Sequence, residues 1–187
     1  AKVGTLKEPG DFKITGKPLD GAKAHARAKM YASKDETRPS INAVHSDGKG
    51  NMVATDGHRL AVIPTSHTEA KNYSKDGLGA ESGEQFPAWR KVVDPSPPTK
   101  TAHFDADSLR TALTAIKDAK AARGQSTKMP RIVELMPDGR IVDQGANGKT
   151  HGTVAVPARG ETHGARINAQ YLLDAIKGAK GAVQIGT

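Results

Sequence analysis

Residues Ile41–Pro64 read INAVHSDGKGNMVATDGHRLAVIP. Two Asp-Gly pairs, Asp47-Gly48 and Asp56-Gly57, cut this stretch into three short runs that mix apolar and polar residues. An Asp-Gly pair between such runs marks a hairpin, so the stretch reads as strand, turn, strand, turn, strand. Asp56-Gly57 fits a two-residue type I′ turn, in which both central residues take positive φ. That turn accounts for two residues and leaves Thr55, His58, Arg59 and Leu60 unexplained. Polar groups crowded on a loop that a rigid scaffold holds are a common form of binding site.

The pattern recurs along the chain. IVELMPDGRIVDQGANG at 132–148 aligns with 41–57, matching Ile41 with Ile132, Val44 with Leu135 and Asp47-Gly48 with Asp138-Gly139. A third strand closes each block, HRLAVIP at 58–64 and GTVAVP at 152–157. Three segments at 12–32, 102–120 and 165–180 each read as a short strand followed by a helix. In them Ile14, Phe104 and Ile167 correspond, then Leu19, Leu109 and Leu172, then Ala22, Ala112 and Ala175. Leu109, Ala112, Leu113 and Ile116 share one helical face, Asp105 or Asp107 can cap that helix, and Gly124 can end it.

Each unit therefore reads strand–helix–strand–strand–strand, and a last copy ending in AVQIGT reads strand–helix–strand. This order predicts an α+β fold with helices packed on one face of antiparallel sheet. Residues 1–10 read as an irregular lead-in. The expected organisation is a first unit at 1–64, a linker at 65–100 and a second unit with an incomplete third at 101–187. Within the linker, 65–85 is rich in Gly, Ser and charge, and DPSPPTK at 94–100 is a stiff connector.

Aromatic residues make up 4% of the 187, so the core must be built mainly from Ala, Val, Ile and Leu. The chain has no cysteine, which excludes disulfides and thiolate metal sites. No apolar run is long enough to span a bilayer, and no leader-type pattern opens the sequence, so a cytoplasmic location is expected. The net charge of +8 favours a polyanionic partner. The base clusters on the three helical segments: Lys23, Arg27, Lys29 and Lys34 on the first, Arg110, Lys117, Lys120 and Arg123 on the second, Lys177 and Lys180 on the third. Arg110 and Lys117 fall on one helical face.

Signals for catalysis are poor. QGANGKT at 144–150 resembles a phosphate loop, but Asp143 stands where the pattern needs Gly, and a strand follows where it needs a helix. The seven His form no HExxH pair, and no Gly-x-Ser-x-Gly or cysteine nucleophile exists. No enzyme activity, cofactor or metal is expected.

TDGHRLA at 55–61 resembles a signature of the bacterial DNA polymerase III β subunit, the sliding-clamp family. GEQFPAWRKVVDP at 83–95 is similar to the segment that joins that family's middle and last domains. FDADSLRTALTAI and INAQYLLDAIKGAKGAVQI are similar to the two helices of its last domain. The resemblance covers 12–64 and 83–187. It implies clamp-type repeat units in a non-enzymatic homo-oligomer that binds duplex DNA without sequence preference. It also implies tethering of a replication polymerase or other clamp-binding protein. The basic helices would then face phosphates. Thr55, Gly57, His58, Arg59, Leu60, Pro87, Lys91 and Val92 would edge a pocket for partner peptides. Leu60 and Val92 would supply apolar contact, Pro87 shape, and Thr55, His58, Arg59 and Lys91 polar anchoring. The sequence also departs from the family: it is shorter, Lys91 stands where the family has Arg, and no Met-Pro-rich tail is evident. These departures leave a second expectation, a structural or assembly protein built from clamp-fold units, for example in a phage particle.

Overall fold

The computed structural model describes residues 16–93, 98–122, 131–144 and 150–187. The chain divides into two compact units, Ala1–Ser96 and Pro97–Thr187.

In the first unit, helix α1 spans Gly21–Ala28 and continues into a single 3-10 turn, Lys29–Tyr31. Asp20 starts the helix by accepting a hydrogen bond from the Lys23 amide at 3.0 Å, which satisfies one of the unpaired donors of the first turn. Four strands follow: β1 Val44–Asp47, β2 Asn51–Thr55, β3 Leu60–Pro64 and β4 Ala70–Tyr73. They form one antiparallel sheet in the order β3-β2-β1-β4. Both faces of this sheet are covered. Val44, Met52 and Ala54 pack with Ala24 and Ala28 of α1, while Val53 on the opposite face packs with Phe86 and Trp89.

The stretch 65–100, expected as a linker, contributes a strand to the sheet of the first unit. Strand β4 pairs with β1 in unbroken register from Val44↔Tyr73 to Asp47↔Ala70. Its end is anchored: Tyr73 is 1% exposed, and the Ser74 carbonyl lies 2.8 Å from Nε2 of buried His25. One buried aromatic among polar neighbours leaves no periodicity to read. The strand expected around Ile14 lies outside the described residues, and Leu19 contributes one isolated parallel bridge to Thr65.

The second unit runs β5 Thr101–Asp105, α2 Ala106–Ala122, β6 Ile132–Leu135, β7 Arg140–Gln144, β8 Thr150–Ala155, β9 Ala158–Gly160, β10 Ala165–Asn168, α3 Ala169–Ala175 and β11 Ala182–Gly186. Its strands form two antiparallel sheets, β10-β6-β7-β8 and β11-β5-β9. The α+β order read from the sequence is present, with β9 added. The last copy does not begin a sheet of its own: β10 joins β6 and β11 joins β5. Leu109, Ala112, Leu113 and Ile116 are all buried, against Phe104, Val133, Leu135, Ile141 and Leu172. Asp105 rather than Asp107 caps α2, accepting from the Ser108 amide at 2.8 Å. Gly124, Arg123 and most of the QGANGKT loop lie outside the described residues, but β8 does begin at Thr150. Asp143 is buried and paired with Arg131, a structural use for the residue that breaks the phosphate-loop pattern.

The caps also correct the internal alignment. Asp20, Asp105 and Asn168 each immediately precede a helix. Counted from them, Ala24, Leu109 and Leu172 correspond, as do Ala28, Leu113 and Ile176, and all six are buried. Leu19 precedes its cap, and Ala22 is exposed where Ala112 is buried. Matching leucine to leucine misaligns the first copy because α1 turns alanines inward.

Candidate functional site

The loop between β2 and β3 is Asp56–Arg59, closed by the pair Thr55↔Leu60. Gly57 has φ +90°, and no described residue other than glycine has positive φ. Asp56 is therefore not left-handed, and a four-residue loop replaces the expected type I′ turn. Side chains hold it together. Asp56 Oδ1 accepts from the amides of His58 and Arg59, each at 3.0 Å, and Oδ2 accepts from Arg59 Nε at 3.0 Å. Thr55 Oγ1 accepts from the Gly57 amide at 3.0 Å and donates to the Arg59 carbonyl at 2.7 Å. Arg59 also donates through Nη2 to the Met30 carbonyl at 3.3 Å and lies 4.9 Å over the Tyr31 ring. Burial alone would raise the Asp56 pKa, but the two amides and the guanidinium outweigh it and hold the carboxyl below its ordinary value.

A wall faces this loop. Phe86 and Trp89 are buried on Val53, a 3-10 turn spans Trp89–Lys91, and Val92 is 77% exposed. Three contacts hold the wall to the sheet. Arg90 lies 4.4 Å over Trp89 and donates to Asp47 Oδ2 at 2.7 Å. Asn72 Nδ2 donates to the Glu84 carbonyl at 2.5 Å. The His45 ring stacks on Phe86 at 5.0 Å. Asp47 also accepts from Asn51 Nδ2 and from the amides of Lys49 and Asn51. Burial works against its charge, yet these donors and Arg90 keep its pKa below the ordinary value.

Between loop and wall lies a cavity of about 380 Å³. Thr55, Gly57, His58, Arg59 and Leu60 line it from the loop, Phe86, Pro87, Ala88, Trp89 and Val92 from the wall, and Arg38 and Ile41 complete it. The cavity gathers seven of the eight residues singled out in the sequence; Lys91 is exposed and lies outside it. Sequence reasoning missed Arg38, Ile41, Phe86, Ala88 and Trp89. The aromatics flanking Pro87 were a usable signal, since a wall needs buried anchors. Arg38, in the polar run DETRPS, gave none.

The basic residues are more dispersed. Lys23 pairs with Asp20 at 3.0 Å, Arg27 is half-buried, and Lys29 and Lys34 are exposed. Arg110 and Lys117 do share a face of α2, and both turn to the α3 segment. Arg110 donates to the carbonyls of Ile176 and Ala179 and pairs with Asp107, while Lys117 bonds Gln170 at 2.9 Å. Lys177 and Lys180 are exposed but follow the end of α3 rather than riding on it. Lys120 belongs to α2. Among the described residues no group of three or more His, Asp or Glu is placed to hold a metal, and no helix is long and apolar enough to cross a membrane.

No family model and no curated protein matches the sequence. Solved structures match the fold. The sliding clamp (DNA polymerase III subunit β) of Bartonella birtlesii, bound to griselimycin, superposes with a TM-score of 0.68 at 15% identity, over 94% of this chain and 62% of that one. The fold is that of the bacterial sliding clamps. The Pseudomonas aeruginosa clamp, solved with a ligand, gives 0.66 at 17% identity, over 95% of this chain and 62% of that one. The C. crescentus β clamp gives 0.64 at 18% identity, over 94% and 61%. The chain thus spans about three-fifths of the length of the clamps whose fold it shares.

Proposed function

We propose that this protein is a non-enzymatic, clamp-type homo-oligomer. It binds duplex DNA without sequence preference and tethers a DNA polymerase or another clamp-binding protein. In this reading the first unit is the counterpart of half of the clamp middle domain, and the second unit of the last domain. The observation that carries the reading is the cavity: residues implied as a peptide pocket from two distant sequence segments line one hollow in a clamp fold. Leu60, Phe86 and Trp89 give that hollow an apolar side suited to a partner's apolar side chain, and the loop gives it a polar rim.

DNA contact rests on the charge of +8 and on exposed lysines such as Lys29, Lys117, Lys177 and Lys180. Ammonium groups that meet phosphates release counterions, so binding is indifferent to sequence and weakens steeply with salt. Native mass by light scattering, with and without duplex DNA, tests the reading. A discrete oligomer whose duplex affinity falls with salt is the expected result. A monomer with no affinity for duplex DNA at low salt overturns it.

A further inference from the structure

We infer that β11 pairs antiparallel with β11 of a second copy of this chain, centred on Gln184, so that two three-stranded sheets join into one. A homo-oligomer can be joined at any open sheet edge, and this edge stands apart. Strand β6, which follows α2, lies between β10 and β7, and its Val133 and Leu135 are buried. Strand β11 follows α3 in the same way but pairs with β5 alone among the described residues, and its Val183 and Ile185 are only partly covered.

An edge strand normally carries something that discourages a further strand. Strand β3 ends in Pro64, Lys71 lies in β4 and Arg166 in β10, β8 meets a register shift at Asp143/Gln144, and β9 is three residues long with Arg159 at its centre. Strand β11 has none of these. Its residues, AVQIG, are uncharged and match β5 in unbroken register from Ala182↔Asp105 to Gly186↔Thr101.

The ladder shows which groups are open. Thr187 exchanges both backbone hydrogen bonds with Lys100, at 3.1 and 3.0 Å, and the Gly181 carbonyl accepts from the Ala106 amide at 2.8 Å. Bonding alternates along an antiparallel pair, so Val183 and Ile185 also bond toward β5, and the amides and carbonyls of Ala182, Gln184 and Gly186 turn outward. When the pairing is centred on Gln184, that residue meets its own copy and Ala182 meets Gly186, which satisfies the open groups of all three. Val183 then lies opposite Ile185 on the core side, an aliphatic cross-strand pair on each half of the joint. The strand is thus complementary to itself, as a twofold contact requires. The antiparallel arrangement also sends Lys177 and Lys180 of the two copies to opposite ends, whereas parallel pairing would set them side by side.

The chain has no cysteine, so a single introduced one reports the register. Gln184→Cys places two thiols on residues whose Cα atoms lie about 5.5 Å apart, within disulfide reach. Mild oxidation should give a covalent dimer on a non-reducing gel. Ala182→Cys, about 14 Å from its own mate, should not crosslink. Light scattering measures the strength of the joint. Gln184→Lys and Gln184→Glu each set like charges face to face and should weaken self-association about fivefold. An equimolar mixture should recover the parent's affinity, which misfolded variants could not do. An oligomer in which Gln184→Cys fails to crosslink, in which both cysteines crosslink alike, or whose mass ignores both charged variants overturns the joint and leaves the homo-oligomer standing. A parent chain that stays monomeric overturns both.

Discussion

The two units pack one kind of element order with different side chains. At matched positions α2 and α3 bury Leu109, Leu113, Leu172 and Ile176, whereas α1 buries Ala24 and Ala28. The far faces of the sheets differ more. In the first unit that face is covered, with Val53 under Phe86 and Trp89 and the His45 ring stacked on Phe86. In the second, the side of β6 and β7 turned away from the core holds Glu134 and Gln144, joined by a 2.9 Å hydrogen bond. A cavity between a sheet and its covering segment needs such a segment. The first unit has one, fastened by Arg90 and Asp47, and it is there that the TDGHRL loop acquires a facing wall.

This contrast can be broken from several directions. Phe86→Ala removes a wall anchor and should cost about 3–5 kcal/mol, read as a lower midpoint of the Trp89 fluorescence transition in denaturant. An unshifted midpoint would mean that the wall does not seal the sheet. Leu113→Ala should cost about 2–5 kcal/mol, seen by circular dichroism as earlier loss of part of the helical signal. Trp89 is the sole tryptophan and belongs to the first unit, so its transition should stay in place. In the opposite sense, Ala28→Leu overfills a site built for a methyl group and should cost about 1–3 kcal/mol, read as a lower Trp89 midpoint.

A smaller effect sharpens the comparison by pH. Asp47 and Asp56 both sit below the ordinary carboxyl value of 3.8. Their stabilising effect is complete above that value. As pH falls below it, the unfolded chain takes up protons before the folded one, and the first unit loses stability. Asp47→Asn should lower stability near neutral pH and flatten this acid slope of the Trp89 transition. An acid slope equal to that of the parent protein would count against the Arg90–Asp47 contact.

Much of this was legible in the residues. Asp-Gly pairs place the β1–β2, β2–β3 and β6–β7 connections, and the spacing of Leu109, Ala112, Leu113 and Ile116 gives the buried face of α2. The loop half of the cavity could be read because its residues are contiguous. Strand β4 could not, because pairing to β1 and one buried tyrosine hold it rather than any alternation of its own. Arg38 could not, because nothing local marks a residue that reaches the cavity only through the fold. What a basic face meets could not be read for a related reason. Arg110 lies on the face that spacing assigns, yet spacing does not say what that face meets, and the carbonyls of Ile176 and Ala179, just past α3, take its donors.

The bonding of the Asp56–Arg59 loop has a kinetic consequence. Thr55, Asp56 and Arg59 already satisfy one another, so, on the proposed reading of the cavity, the loop has little left to order when a peptide arrives. The entropy lost on association would then fall mainly on the incoming chain. A socket of this kind meets its ligand preformed. Differences among partners should therefore be written in how long they stay, and much less in how fast they come.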